Sequence, residues 1–205
     1  RDLTSDANRG PLFRGNKLFN NGINGLEVRA DATTNNLSEG VLSVRDLQRN
    51  SLSTESVWDD TDIVHVLFDS VTVTNLQHSG GLRLQSAVNE SLVVKMEGPG
   101  SNFDQERGTG FTATGYYGGI ENRVGGTIHV IGQPNFPVIF TSLRDDTVGA
   151  GTRPDGTPQT DTNNDGFATV PRPGDWRSLL FDTYSNDRNV RVAMEIESPN
   201  VIAPG

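Results

Sequence analysis

Short runs of β-branched and other apolar residues, separated by turns, constrain the fold of this chain more than any other feature. Between residues 63 and 96, apolar stretches lie at 63–68, 71–74, 82–84 and 91–96. Their starts are about 8 to 12 residues apart, a spacing typical of an all-β sandwich or of the sides of a solenoid. We find no sustained i, i+3, i+4, i+7 apolar stripe of an amphipathic helix. The sequence therefore predicts an all-β fold.

Further strands are predicted on both sides of this region, each an apolar run bounded by turn-forming residues. They cover residues 26–28, 41–44, 109–115, 126–131, 136–141, 176–181 and 190–196. The acidic segment 47–62, with Trp58 near its end, predicts a loop instead. We expect one domain over residues 1–205, with an opening segment at 1–20, a long acidic loop at 142–175 and a linker at 197–205.

Composition excludes several classes of function. A net charge of −9 disfavours binding to nucleic acid or to an anionic membrane surface, because either partner requires a basic face. The chain has no cysteine, which excludes disulfides, thiolate metal sites and cysteine nucleophiles. No apolar run approaches the roughly 18 to 20 residues that span a bilayer. Since the chain starts RDLTSD and ends in a Pro-containing segment, we expect a piece of a longer protein.

Three segments share a phrase in which Gly, Asn or Pro precedes a short apolar strand. They are residues 21–28 (NGINGLEV), 137–142 (PVIFTS, leading to Asp145 and Asp146) and 173–181 (PGDWRSLLF). This pattern resembles the right-handed parallel β-helix repeat regions of very large secreted or surface proteins of bacteria. The resemblance implies a solenoid whose inward residues stack from rung to rung. An antiparallel β-sandwich is the alternative fold.

The long loop contains the one local pattern with a specific chemical interpretation. Asp161, Asn163 and Asp165 alternate before Gly166, as in calcium loops, where these side chains supply oxygens and glycine permits the sharp turn. The carbonyl of Phe167 is the next oxygen along the chain. The loop is not an EF-hand, because Arg172 occupies the twelfth position, where a bidentate Glu is required.

The pattern instead resembles the calcium loops of extracellular repeat proteins, in which a distant acid completes the coordination shell. The candidates for that acid are Asp145, Asp146, Asp155 and Asp175. The alternative is that Asn, Asp and Gly here only form good turns. Calcium is the one cofactor that the sequence predicts.

Carbohydrate binding is a second, weaker hypothesis. Trp58 could stack on a sugar, with Asp59 and Asp60 binding its hydroxyls, and Tyr116 and Tyr117 form another aromatic pair. The simpler interpretation, which we favour, places Trp58 on the end of the core. Trp176 directly precedes an apolar strand and is also expected in the core.

Catalytic motifs are absent from the sequence. Asp145-Asp146 resembles the paired aspartates of polygalacturonase-like hydrolases, but their Gly-His-Gly and Arg-x-Lys motifs do not occur, and no motif supports Arg144 or Arg177 as a lyase base. His65 and His129 lie in predicted strands, where alternation predicts that they face solvent. We assign no catalytic residue.

The expected function is therefore structural or adhesive, in an extracellular or cell-surface segment stiffened by calcium that stacks end to end into a filament or layer. The expected partners are flanking domains of the parent chain, or identical subunits, which cap the solenoid ends. A polysaccharide-binding module or a polysaccharide-active β-helix is the alternative function.

Overall fold

The computed structural model describes residues 10–29, 52, 55–74, 81–99, 108–115, 125–182 and 185, and its regular structure consists of short strands with no helix in these ranges. In chain order the strands are β1 Leu26–Val28, β2 Ser56–Trp58, β3 His65–Leu67, β4 Val71–Val73, β5 Gly81–Gln85, β6 Leu92–Met96, β7 Phe111–Ala113, β8 Thr127–Ile131, β9 Val138–Ser142 and β10 Leu179–Phe181. The all-β prediction is confirmed for this part of the chain.

The strands form three sheets, and every strand pair in them is parallel. Sheet A contains β1, β3, β6 and β9, sheet B contains β4, β7 and β10, and sheet C contains β2, β5 and β8. From β3 to β10 the chain visits sheets A, B and C in unbroken rotation. The antiparallel β-sandwich is therefore not the arrangement of the described strands.

The start of the chain follows the same rotation. After β1 in sheet A, the Leu52 amide donates a hydrogen bond of 2.8 Å to the Thr72 carbonyl of β4, which places Leu52 alongside sheet B. The next strand, β2, lies in sheet C. This strand falls in the segment 47–62, so the prediction of a loop there is wrong for Ser56–Trp58. The residues on both sides of this three-residue strand are polar, so the sequence shows no apolar alternation there.

One hydrophobic core receives side chains from all three sheets. Its buried members are Trp58, Leu67, Val71, Val73, Leu82, Leu84, Leu92, Val94, Met96, Phe111, Ala113 and Ile128. Parallel pairing keeps these residues in register, because each inward residue stacks on its equivalent in the neighbouring strand. Phe111 thus pairs with Val71 on one side and Leu179 on the other. Trp176 packs against this core from the edge, as expected.

Sheet A is buried on its outer face as well. In β6, Leu92, Val94 and Met96 point into the core, yet Val93 and Lys95, on the opposite face, are also buried. A second hydrophobic cluster explains this. It comprises Val64, Val66, Phe68, Val93 and Leu143, with Ile23, Ile139, Val148 and Ala150 packed against them.

The cover of this outer face is the loop at residues 142–175, called the covering loop below. Leu143, Val148 and Ala150 are its apolar contacts with sheet A. β9 ends at Ser142, and the next strand, β10, begins at Leu179. The loop is a second layer on the sheet rather than a projection into solvent.

The prediction that His65 faces solvent is wrong. Its side chain is fully buried, and its ring stacks on the Trp58 indole with a centroid distance of 5.1 Å and an interplanar angle of 10°. The opposite face of β3 holds Val66, which is buried under the covering loop, so both faces of this strand are internal. His129, on β8, is exposed as predicted.

Burial lowers the pKa of His65 from 6.5 to about 4, although the charge of Asp59 opposes the shift. Neither ring nitrogen has a hydrogen-bond partner, so a protonated ring would have no compensation in the core. The neutral imidazole acts here as an aromatic core residue.

The covering loop should contribute substantially to stability through Leu143. We expect Leu143→Ala to lower the free energy of unfolding by about 2 to 5 kcal/mol, because it leaves a cavity between the loop and sheet A. Urea denaturation of the two proteins measures this difference. Val170→Ala, on a side chain that is 59% exposed in the same loop, is the control and should change it little. A loss for Leu143→Ala no larger than the control's would contradict the packing.

His65 should make the fold sensitive to mild acid. Below pH 6.5 the unfolded chain binds a proton that the folded chain excludes, so stability falls with pH until about pH 4. Between pH 7 and pH 5 we expect a loss of about 2 kcal/mol from this residue. His65→Leu should remove that part of the pH dependence in urea denaturation in metal-free buffer, whereas the exposed His129→Gln is the matched control. An identical pH dependence for wild type and His65→Leu would show that the ring does not exclude the proton.

Candidate metal centre

Lys95 fixes the covering loop to the outer face of sheet A. The side chain is completely buried, and its ammonium donates hydrogen bonds to the carbonyls of Asp145, at 2.6 Å, and Thr160, at 2.9 Å. These two carbonyls belong to limbs of the loop that run close together. A Cβ on Gly149 would lie 1.9 Å from the Gln159 carbonyl oxygen, so only glycine permits this approach.

The residues that follow those two carbonyls form a cluster of acids. One carboxylate oxygen from each of Asp146, Asp161 and Asp165 lies within 4.8 Å of the others. We call this group the carboxylate cluster. Asp146 and Asp161 are buried, at 9% and 7% exposure, and Asp165 is partly exposed. Three carboxylates at this distance repel one another unless a cation or bound protons compensate them.

The Asp146 side chain is the least compensated polar group of the cluster. Both of its carboxylate oxygens are buried, and neither has a hydrogen-bond partner. The Oδ1 atom of Asn163 is also buried without a partner, while its Nδ2 donates to the Asp165 carboxylate at 2.8 Å. Leaving buried acceptors without partners is costly, which makes these oxygens candidates for metal ligation.

Asp161 and Asp165 hold a tight turn whose amides donate to their carboxylates. Asp161 accepts from the amides of Asp165, at 3.0 Å, and Gly166, at 3.1 Å. Asp165 accepts in turn from the amides of Ala168 and Thr169 and from the Thr169 hydroxyl. The turn therefore orients both carboxylates with donors from its own residues.

The backbone of this turn enters the left-handed region three times. Asn164 has a φ of 55°, Gly166 of 63° and Phe167 of 71°. Asn and Gly adopt this conformation readily, but Phe does not. The Phe167 side chain is 64% exposed, so its conformation comes from the turn rather than from packing.

Asn24, just before the first strand of sheet A, holds the backbone of the same turn. The Asn24 side chain donates to the Asp161 carbonyl at 3.0 Å, and its amide donates to the Thr162 carbonyl at 2.7 Å. Asn24 is buried and lies two residues before β1. Residues 146–165 carry the cluster, and hydrogen bonds from Asn24 and Lys95 hold this part of the loop in place.

The electrostatics of the site are those of a buried, mostly anionic group. Burial raises the pKa of Asp146, and the neighbouring charges of Asp161, Asp165 and Asp145 add to this against the opposing effect of Lys95. Burial lowers the pKa of Lys95 to about 8, although Asp146, Asp145 and Asp161 oppose that shift. For Asp165, the Thr169 hydroxyl and the other donors lower the pKa despite some desolvation.

Two of the predicted ligands do not belong to the cluster. Asp145 accepts hydrogen bonds from the hydroxyls of Thr141 and Thr147, both at 2.6 Å, and from the Thr147 amide. Although burial opposes the shift, these bonds lower its pKa. Asp145 therefore organises a turn of its own, and its carboxylate is not one of those that lie within 4.8 Å of one another in the cluster.

Asp175 likewise has its own donors at the end of the covering loop. Its carboxylate accepts from the Ser142 hydroxyl at 2.8 Å, from the Arg172 amide at 2.9 Å and from the Arg144 guanidinium at 3.2 Å. It ties the two ends of the loop together. Asp155, another candidate, is exposed and accepts from Thr157 in a separate turn.

The structure therefore brings together four of the predicted oxygen donors: Asp146, Asp161, Asn163 and Asp165. Among the distant acids, Asp146 is the one that meets the D-x-N-x-D-G turn. Phe167, predicted to contribute its carbonyl, lies in the same turn, two residues after Asp165.

The carbohydrate hypothesis loses its central residue. Trp58 is only 6% exposed and lies in the core, where it contacts His65 and Phe111, so it presents no face to a sugar. Asp60 is fully buried, and it accepts from the Phe13 amide and the Arg14 guanidinium.

The other residues of that hypothesis add no support for it. Asp59 is partly buried, and its carbonyl accepts a hydrogen bond from Arg14. Tyr116 and Tyr117 lie outside the described residues, as do the predicted strands at 41–44 and 190–196 and the linker at 197–205.

Sequence reasoning missed Lys95 and Asn24 as parts of this site. A signal for Lys95 is present, since it lies within the apolar run Leu92–Met96, where a lysine is unusual and must have partners if it is buried. Asn24 gives no such signal. Asn followed by Gly is typical of any turn, and its hydrogen bond to the covering loop reaches a residue 137 positions away.

Comparison of the chain with known protein families, curated proteins and solved structures gave no match. The described ranges contain no helix with the length and hydrophobicity of a membrane span.

Asp146 should destabilise the fold when no cation is present. We expect Asp146→Asn to raise the unfolding temperature in chelator by roughly 2–4 °C, because it removes a buried charge that repels Asp161 and Asp165. Differential scanning calorimetry in EDTA measures the change. Asp155→Asn, in an exposed turn of the same loop, is the matched control and should give no rise. A lower unfolding temperature for Asp146→Asn would show that the carboxylate is compensated in the metal-free protein.

Proposed function

We propose that this chain is a structural β-solenoid segment of a large extracellular or surface protein, and that a calcium ion fixes its covering loop to sheet A. One observation carries the proposal. Both carboxylate oxygens of Asp146 are buried without hydrogen-bond partners, next to Asp161 and Asp165. The role of the ion is mechanical, since it joins the loop to the sheet, and we assign it no part in catalysis.

The finer description of the fold is part of this proposal. A chain that visits sheets A, B and C in rotation, with all three sheets facing one core, has the path of a parallel β-helix. We take its hand as right-handed, because crossovers between parallel strands of one sheet are almost always right-handed. The resemblance of residues 21–28 and 173–181 to bacterial β-helix regions supports the same assignment.

Calcium suits the donors better than other metals do. All of the candidate ligands are oxygens, which favours hard cations over zinc or copper. Calcium takes six to eight oxygens in irregular geometry, whereas magnesium requires a near-regular octahedron and retains its waters. Asp146, Asp161, Asn163 and Asp165 come from two loop limbs, so an adaptable ion fits them best. Calcium sites of extracellular modules bind with a Kd of about 10⁻⁴ to 10⁻³ M, which is consistent with a segment outside the cell.

The last strands of the described solenoid favour a partner at that end. β8 carries Val130 and Ile131 at 41% and 38% exposure, and β10 carries Leu180 and Phe181 at 41% and 47%. Apolar side chains next to strand edges invite another sheet layer. We propose that a flanking domain or an identical subunit covers this end, as stacking into a filament or layer requires.

Calcium should raise the thermal stability of the protein. At a concentration roughly 10- to 100-fold above Kd, a ligand that binds only the folded state contributes about 1.4 to 2.7 kcal/mol, which corresponds to a rise in unfolding temperature of roughly 3–10 °C for a chain of this size. We expect this rise in 10 mM CaCl₂ relative to EDTA, and a smaller one in MgCl₂. Isothermal titration calorimetry with calcium should give one site per chain.

Matched variants identify the site. Asp146→Asn should abolish both the thermal shift and the titration heat, and the control Asp155→Asn should retain them. The proposal fails if calcium gives the wild type neither a shift nor heat, or if Asp146→Asn binds calcium as the wild type does.

A further inference from the structure

We propose that Lys95 is the internal counter-cation of the carboxylate cluster, keeping the site assembled without an ion and limiting its affinity for calcium. This inference rests on the proposed calcium site and concerns how that site is regulated. Lys95 belongs to β6 in the centre of sheet A, and neither it nor any part of that strand was predicted to contribute to a metal site.

The position of the Lys95 ammonium suits it to act as a counter-cation. Its two hydrogen-bond acceptors, the carbonyls of Asp145 and Thr160, immediately precede Asp146 and Asp161 in the chain. One positive group therefore holds the two loop limbs that carry the two buried carboxylates. It also interacts electrostatically with Asp146 and Asp161 themselves.

The ammonium cannot withdraw when a metal ion arrives. The side chain is fully buried between Val66 and Thr141, its register neighbours in sheet A, and both acceptors are backbone atoms. A divalent ion at the carboxylate cluster would meet a fixed positive charge in a poorly solvated region, and that repulsion weakens binding. The same charge reduces the mutual repulsion of the carboxylates when no ion is bound.

A second cation near the cluster provides an independent comparison. The Arg153 guanidinium lies 4.0 Å from the Asp161 carboxylate, and its side chain is 26% exposed. Because it is more solvated than Lys95, its effect on an ion in the site should have the same sign but be smaller.

The experiment compares calcium affinity, by isothermal titration calorimetry, with thermal stability in EDTA for the wild type and for Lys95→Gln. We expect Lys95→Gln to bind calcium about tenfold more tightly, to unfold at a lower temperature in EDTA, and to gain more stability from calcium than the wild type does. Lys95→Arg, which keeps the charge, should stay within about threefold of the wild-type affinity. Arg83→Gln, at an exposed position on β5, controls for the loss of any positive charge.

The outcomes separate this inference from the proposed function. If the wild type binds calcium and Lys95→Gln binds with equal or lower affinity, Lys95 is only a positioning residue and the inference fails while the calcium site stands. If the wild type does not bind but Lys95→Gln does, the proposed calcium function fails and the counter-cation role holds. If neither binds, both fail.

Arg153→Gln decides the case in which Lys95→Gln does not fold. It should then increase calcium affinity about two- to threefold over the wild type, because it removes the second positive charge from the cluster. Unchanged or weaker binding by Arg153→Gln overturns the counter-cation model.

Discussion

Burial of both faces of sheet A is the constraint on which the rest of the structure depends. Its inner face supplies the common core of the three sheets, so its outer face would normally meet water. Here the outer face holds Val66 and Val93, which a covering layer must shield. The covering loop supplies that layer, but a loop brings backbone carbonyls and turn-forming acids with it. Lys95 and the carboxylate cluster follow from the need to satisfy these polar groups inside the protein.

The site is a problem of charge balance as much as of ligand geometry. Three carboxylates carry more negative charge than Lys95 compensates, and Arg153 contacts Asp161 only from a partly exposed position. The remaining negative charge is close to that of a site for one divalent cation. Asp146 is the exception in this loop, since hydroxyl and amide donors bind the carboxylates of Asp145 and Asp175, whereas neither oxygen of Asp146 has a partner. Acids of the same loop thus have different roles, and Asp146 is the one whose charge a bound cation would compensate most.

The strands could be predicted because their signal is local. Apolar alternation and turn residues located nine of the ten described strands, including Leu26–Val28 with its bounds, and missed only the three-residue β2. The D-x-N-x-D-G turn was also predictable, because Asp161 and Asp165 are oriented by amides within five residues. What could not be predicted depends on contacts across the chain. The inward orientation of His65 and the choice of Asp146 over Asp145 both follow from the covering of sheet A, which periodicity does not encode.

The covering loop also adds a long-range link to the stack of parallel strands in sheet A. In a solenoid each rung contacts only its neighbours, so stability is a sum of local terms and the ends fray first. Hydrogen bonds join this loop to three strands of sheet A. Asp175 accepts from Ser142 at the end of β9, Lys95 of β6 donates to the loop, and so does Asn24, two residues before β1. It therefore links the first and last strands of sheet A directly. An ion that holds Asp146 to Asp161 would tighten this link along the whole sheet, so that one local site stiffens a segment four strands long.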